Sequence, residues 1–314
     1  MRKKILITGG AGFLGINLVN KLITENDIYV VDNLSSGNIN NISIFNDHPN
    51  FKFINNDISK DFNFNYQIDE IYNLACPASP PFYQMDPIQT MKTSVLGSFN
   101  VLDLALRNDA KILQTSTSEI YGDPLEHPQK ESYKGNVNPI GIRSCYDEGK
   151  RAAESIFFDY NRIHNTKIKV VRIFNTYGPY MNIDDGRVVS NFICQALLNR
   201  DITVYGNGNQ TRSFCFVDDM IDGLVKMMNT KNSVLGPINL GNPYELTMLS
   251  LAQEVIKLTK SKSKIIFQDL PSDDPVKRKP DISAAKEILK WSPKVKFTDG
   301  LISSIDYFKN KLKV

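Results

Sequence analysis

Apolar residues along this chain fall into short unbroken runs, each followed by a stretch with helical spacing. Lys4 to Thr8 is the first run and is compact enough for a buried strand. Gly9-Gly10-Ala11-Gly12-Phe13-Leu14-Gly15 follows, and a helical pattern continues through Leu18, Leu22 and Ile23. Ile28 to Val31, Phe51 to Asn55, Glu70 to Ala75, Lys111 to Thr115 and Lys167 to Phe174 predict further strands. Between them lie a long helical stretch from about Pro87 to Arg107 and a helix carrying Tyr146 and Lys150. Repeated βα units of this length predict an α/β fold with a doubly wound parallel sheet.

After Asn175 the pattern shortens. Thr203 to Tyr205, Ser213 to Val217 and Ile238 to Leu240 read as short strands, with helices near 188–199, 218–229, 247–260, 282–290 and 297–312. Asp273 to Pro280 reads as a loop by its prolines. The expected division is a dinucleotide-binding (Rossmann) domain over 1–176 with a return segment near 213–240. A smaller, partly interleaved C-terminal substrate domain takes 177–212 and 241–314.

Charge narrows the partners. The 314 residues carry 37 basic and 34 acidic side chains, a formal charge of +3, which gives no reason to expect nucleic acid or an anionic membrane. Cys76, Cys145, Cys194 and Cys215 form no C-x-x-C pair, and His48, His127 and His164 are scattered, so no metal site is expected. Free thiols fit a reducing, cytoplasmic setting. The apolar run behind Met1-Arg2-Lys3-Lys4 is too short for a signal peptide, and no run is long enough for a membrane span.

The glycines satisfy G-x-x-G-x-x-G from Gly9 and G-x-G-x-x-G from Gly10, between a strand and a helix. There they permit a tight turn and close approach of a pyrophosphate to the helix N-terminus. Asp32 closes the second strand, twenty positions after Gly12, where an acid accepts from ribose hydroxyls. A carboxylate there repels a 2'-phosphate, so NAD is expected rather than NADP. Asp57, after the third strand, is placed to face adenine, and the stiff loop Cys76-Pro77-Ala78-Ser79-Pro80-Pro81 sits where ligands of open α/β sheets bind.

Tyr146 and Lys150 are four apart and share a helix face. A tyrosine near pKa ~10 is a poor base, and lowering it by about 3 units asks for roughly 4 kcal/mol. An adjacent ammonium and a positively charged nicotinamide favour the phenolate. On its own the Y-x-x-x-K pattern is common by chance.

The glycine loop, Thr117 after the fifth strand, and Tyr146 with Lys150 together resemble the extended short-chain dehydrogenase/reductase family, which acts on nucleotide sugars. The resemblance runs essentially end to end. It is closest to the UDP-glucuronate decarboxylases (UDP-xylose synthases). Four strings carry it: Asn138-Pro139-Ile140-Gly141 leading into Tyr146 to Arg151, Cys76 to Pro81, Asp185 to Phe192, and Asp273-Asp274-Pro275 through Lys279-Pro280-Asp281. Two positions depart from the pattern: Cys76 where a serine is expected, and Ser94 where an asparagine is expected.

The resemblance implies that Tyr146, helped by Lys150 and Thr117, takes the proton from the sugar O4 as C4 gives hydride to NAD. Glu119 and Arg278 would then promote loss of carbon dioxide. Ser118 stands where related 4,6-dehydratases place an aspartate that expels the C6 hydroxyl, and decarboxylation needs no such acid. By resemblance, Gly9, Gly12, Phe13, Leu14, Gly15, Asp32, Asn33, Ser36, Gly37, Asp57, Ile58 and Leu74 join Tyr146 and Lys150 in holding NAD. Pro81, Tyr83, Asn175, Arg187, Val188, Tyr205, Arg212 and Arg278 would hold UDP-glucuronate, with arginines suited to its phosphates. The helices near 87–107 and 145–163 resemble those that form a homodimer. A UDP-sugar 4-epimerase, a decarboxylase that releases the 4-keto pentose, and a non-catalytic NAD-sensing module stay open as alternatives.

Overall fold

The computed structural model describes residues 2–60, 62, 64–269 and 277–314. Asp273 to Val276, expected as loop, lie outside the described residues. Strand β1 (Lys4–Thr8) leads through the glycine turn into helix α1 (Phe13–Leu22), then β2 (Asp27–Asp32), α2 (Ile39–Ile42), β3 (Phe51–Asn55) and β4 (Glu70–Asn73). Helices α3 (Pro80–Met85) and α4 (Pro87–Asn108) precede β5 (Lys111–Thr117), and α5 (Ser144–His164) precedes β6 (Ile168–Ile173). Pro80 and Pro81, expected as part of a stiff loop, open α3, because a proline in the first helical turn has no amide to satisfy.

A seven-stranded sheet runs in the order Ile238–Leu240, β6, β5, β4, β1, β2, β3, every pairing parallel. The strand order reverses at β1, which pairs with β2 on one side and β4 on the other. A parallel sheet is covered on both faces, which explains why its strands read as continuous apolar runs rather than alternating ones. Ile5, Leu6 and Ile7 are all buried. Polar groups inside the sheet are paired: the Thr8 hydroxyl donates to Asn73 at 2.6 Å, and Asn73 donates to Gln114 at 2.7 Å.

The run Ser213 to Val217, expected as one strand, is two. Thr211–Ser213 pairs with Glu245–Thr247 and with Lys277–Arg278, while Cys215–Phe216 pairs with Thr176–Tyr177. The helix Val217–Met228 follows, and Ile238–Leu240 extends the main sheet beside β6. The chain thus crosses back to the main sheet after supplying a small sheet that holds Arg212 and Arg278 in register.

Helices α4 and α5 lie against each other. Small residues set that distance. A Cβ on Gly149 would come within 3.0 Å of Ser94 Cβ, so α5 can approach α4 here only as glycine. The turn that carries Tyr146 and Lys150 is therefore seated directly on α4.

Candidate active site

Every residue expected to touch cofactor or substrate lines one cleft of about 640 Å³ at the carboxyl ends of the strands. That volume lies within the usual range for ligand sites, about 300–1,000 Å³. Its floor is built by the glycine turn. Gly9 has φ +70°, and a Cβ there would meet the Ala75 backbone at 2.9 Å. A Cβ on Gly12 would meet Gly9 O at 3.3 Å and otherwise project into open space, so its absence leaves room for a close backbone approach. No side chain caps the start of α1, which leaves its amides for an anion. These features fit the pyrophosphate of a dinucleotide.

Asp32, expected to face a ribose, also braces the glycine turn. Its carboxylate accepts from Ala11 N at 3.0 Å and Leu34 N at 2.8 Å, tying the glycine turn to the end of β2. Burial raises its pKa, against these two bonds. Asp57 accepts from Ser59 and from Gln89 Nε2, the latter at 3.1 Å. Burial would raise the Asp57 carboxyl, but the Ser59 bonds carry it below its ordinary value.

Tyr146, Lys150 and Thr117 converge at the cleft's inner end, all nearly buried. The Tyr146 ring stacks on Tyr83, centroids 5.1 Å apart and planes within 7°. The Tyr83 hydroxyl is buried with no hydrogen-bond partner among the described residues. Lys150 Nζ lies 5.8 Å from the Tyr146 ring centroid and donates to Thr115 O at 2.9 Å. Burial and then Cys76 push the Tyr146 phenol up, while a hydrogen bond with Thr117 opposes them. Burial also pushes the Lys150 ammonium down. A positive charge bound in the cleft would favour the phenolate against this burial.

Glu119 lies one turn beyond Thr117, whose hydroxyl caps the short 3₁₀ turn Ser118–Tyr121 by accepting from Glu119 N at 3.2 Å. Arg143 donates to the Glu119 carboxylate at 2.6 Å and Arg278 at 3.3 Å. Arg278 is 2% exposed and also donates to Ser118 O and, at 3.0 Å, to Gly122 O. It is a buried cation pinned to the end of β5, not the solvated loop charge that Lys277 and Lys279 suggest in sequence. Burial would raise Glu119, but Arg278, Arg143 and Arg212 hold it below the ordinary carboxylate range.

Also lining the cleft, Arg187 stands at the N-cap position of the helix Val188–Leu197 without a side-chain capping bond and is forked by Asp185, with one arm at 2.7 Å. Its guanidinium lies 5.7 Å from the Phe13 ring centroid. Asn175 follows β6, Val188 opens the Arg187 helix, and Tyr205 ends the strand Ile202–Tyr205 with its ring 44% exposed. Arg212 pairs in register with Arg278.

Two groups escaped the sequence reading. Arg143 stands three positions before Tyr146, on the same helical face, and that spacing was the only signal. Asp147 is buried beside it, with Oδ1 lacking a hydrogen-bond partner among the described residues. Burial and then Glu119 push its carboxyl up to about 7, against the pull of Arg143 and Arg278. The two departures from the family pattern also meet: Cys76 Sγ lies 3.3 Å from Ser94 Oγ.

The comparisons with known proteins agree with this geometry. The GDP-mannose 4,6 dehydratase family model matches residues 6–303. UDP-glucuronic acid decarboxylase 3 of Arabidopsis thaliana is 54% identical over 313 residues, 99% of this chain and 90% of the relative. UDP-glucuronic acid decarboxylase 1 of Danio rerio is 49% identical over 313 residues, 99% of this chain and 74% of the relative. Among solved structures, UDP-glucuronic acid 4-epimerase of Bacillus cereus, in complex with UDP-glucuronic acid and NAD, matches with TM-score 0.86 at 27% identity. That match covers 98% of this chain and 99% of the epimerase. By these matches the chain belongs to the extended short-chain dehydrogenase/reductase family, alongside the UDP-glucuronic acid decarboxylases.

Proposed function

We propose that the chain is an NAD-dependent carboxy-lyase that converts UDP-glucuronate to UDP-xylose through a UDP-4-keto intermediate. The observation that carries the reading is Glu119 held between Arg143 and Arg278, next to Tyr146, Lys150 and Thr117, with a serine rather than an acid at 118.

Tyr146 takes the proton from the sugar O4, and Thr117 hydrogen-bonds the same oxygen. NAD held by the glycine turn would supply the hydride acceptor for C4 and the hydride that goes back to it. Oxidation places the C5 carboxylate β to a ketone. The bond from C5 to the carboxyl carbon then breaks, its electron pair moves to the 4-oxygen as an enolate, and carbon dioxide leaves. A proton is added at C5 before C4 is reduced. Arg278 holds the carboxylate for this step, and Glu119, kept ionised by Arg278 and Arg143, orients the Arg278 guanidinium. Gly9, Gly12, Gly15 and Asp32 would hold the dinucleotide. Arg187, Arg212, Asn175 and Tyr205 would hold the UDP, with Pro81, Tyr83 and Val188 around the sugar.

The assignment of 1–176 with the return near 213–240 to NAD, and of 177–212 and 241–314 to the nucleotide sugar, is part of this proposal. So are a cytoplasmic location, which the four free cysteines support, and a homodimer through α4 and α5. Ile88, Leu96 and Phe99 on α4 and Ile163 on α5 are exposed apolar side chains that support a partner there. Among the described residues, no helix is long and apolar enough to cross a membrane.

The test is incubation with UDP-glucuronate and NAD, with the sugar product identified by NMR. UDP-xylose supports the proposal, and Tyr146→Phe should abolish it. A UDP-uronate inverted at C4 identifies an epimerase, a UDP-4-keto pentose a releasing decarboxylase, and an unchanged sugar a non-catalytic NAD binder. Each of these overturns the proposal.

A further inference from the structure

Arg278 reaches the cleft from a strand of only two residues, Lys277–Arg278, paired to Thr211–Ser213 through two positions. So short a pairing is a weak hold on a buried charge. The side chain is tied to Ser118, Glu119 and Gly122, Lys279 pairs with Glu245 at 3.1 Å, and the backbone of the segment is further held by Gln129, which is fully buried. Its backbone N donates to Lys279 O at 2.9 Å, and its side-chain Oε1 accepts from Lys279 N at 2.9 Å. Its backbone O accepts from Asp281 N at 2.8 Å. The remaining side-chain donor, Nε2, is bound to Glu126 O at 2.7 Å, which fixes the orientation of the amide. Gln129 thus grips the residue after Arg278 from both the main chain and the side chain.

That grip is tied to the catalytic strand. Gln129 O also accepts from Asn239 at 3.0 Å, and Asn239 accepts from the Tyr121 hydroxyl at 2.8 Å. Arg172 donates to Tyr121 at 3.0 Å and forks Glu154 at 2.9 and 2.8 Å. Glu154 accepts from Ser116, the neighbour of Thr117, at 2.5 Å. A buried polar chain of this kind, with its members paired, fixes one arrangement and penalises others. It sets the distance between the strand that carries Thr117 and the segment that carries Arg278.

We infer that Gln129 is a positioning residue for the decarboxylation step, acting through Arg278. This rests on the reading that Arg278 acts on the substrate carboxylate. Gln129 lies far from Tyr146 in this chain of contacts, so its loss should spare oxidation at C4 and slow the loss of carbon dioxide.

The test is a single turnover of UDP-glucuronate on the NAD-loaded full chain, following NADH absorbance and carbon dioxide together, in wild type and Gln129→Met. The methionine keeps length and volume while removing the acceptor for Lys279 N and the donor to Glu126 O. The expected result is an NADH rise at the wild-type rate and carbon dioxide release slower by about tenfold. The ratio of the two rates does not depend on how much of the variant is folded. A ratio equal to wild type overturns the inference, whether both rates stay unchanged or both fall together. Gln129→Glu retains the acceptor for Lys279 N, so it should recover part of the ratio if it folds. If Gln129→Met yields no folded protein, a ratio in Gln129→Glu nearer to wild type than that in Gln129→Ala sustains the inference, and equal ratios in all overturn it. A wild type that releases no carbon dioxide defeats the functional proposal instead.

Discussion

The guanidinium of Arg143 donates to the carboxylate of Glu119 at 2.6 Å, joining the first turn of α5 to the end of β5 across 24 positions of sequence. Both side chains are largely shielded, 15% and 17% exposed. The pair is therefore unlike a surface ion pair, whose worth is small. Arg143→Met should cost about 2 kcal/mol of stability, the scale of a hydrogen bond to a charged group. The sign with pH follows from the depressed Glu119 carboxyl. Its contribution is present above the unfolded value of 4.5 and is lost as pH falls through the lower folded value. Urea unfolding at pH 7 should show the loss. A midpoint equal to wild type would contradict the role given to this pair.

Asp147 predicts the opposite slope. Glu119 and Glu148 push its carboxyl up together with burial, Arg143 and Arg278 pull it down, and the result is about 7 against an unfolded value of 3.8. Tyr83 faces the same pocket. A raised folded value means that the native state binds the extra proton, so stability falls as pH rises from about 4 to about 7. Asp147→Asn should remove that fall and gain roughly 2 kcal/mol at pH 8, half of the full shift at 1.36 kcal/mol per unit. Melting temperatures across pH 5 to 9 decide the point. Parallel curves for the two proteins would contradict it.

The contact between Cys76 and Ser94 predicts non-additivity. A thiol is larger than a hydroxyl, and a serine is shorter than an asparagine, so the two departures offset one another in volume. Ser94 also abuts Gly149, so Ser94→Asn alone overpacks the joint between α4 and α5. Cys76→Ser alone leaves a gap. Each single change should destabilise, and Cys76→Ser with Ser94→Asn should recover about 1 kcal/mol relative to their sum. Additive unfolding midpoints would show that the positions are independent.

The exposed apolar side chains of α4 and α5 predict self-association. Light scattering at micromolar concentration should give a mass near twice the 35.5 kDa chain. Leu96→Glu with Phe99→Glu should return it to one chain with the melting curve little changed, because both side chains are exposed. A monomeric mass for wild type would contradict the dimer.

Local pattern carried much of the fold. Lys4–Thr8 falls where its apolar run places it, because a buried parallel strand needs unbroken apolar sequence, and the edge strands Phe51–Asn55 and Ile238–Leu240, each with a polar residue inside, also fall where expected. Tyr146 and Lys150 share a helix face because their spacing is a property of one element. Contacts between elements were not legible in the same way. The place of Arg143 shows only once α5 is docked beside β5, and Arg278 reads as one basic residue among three. The break at Phe214 was hidden because Phe214 to Val217 is apolar throughout, and only the pairing partners divide the run. The burial of Tyr146 was not legible either, because spacing alone does not report it.

The most direct test of the central claim is the yield of carbon dioxide per NAD. With UDP-glucuronate in large excess over NAD, the account predicts many molecules of carbon dioxide per NAD and no standing absorbance of NADH, because the hydride returns to C4. Carbon dioxide that stops at one per NAD, with an equal amount of NADH left in solution, would contradict it.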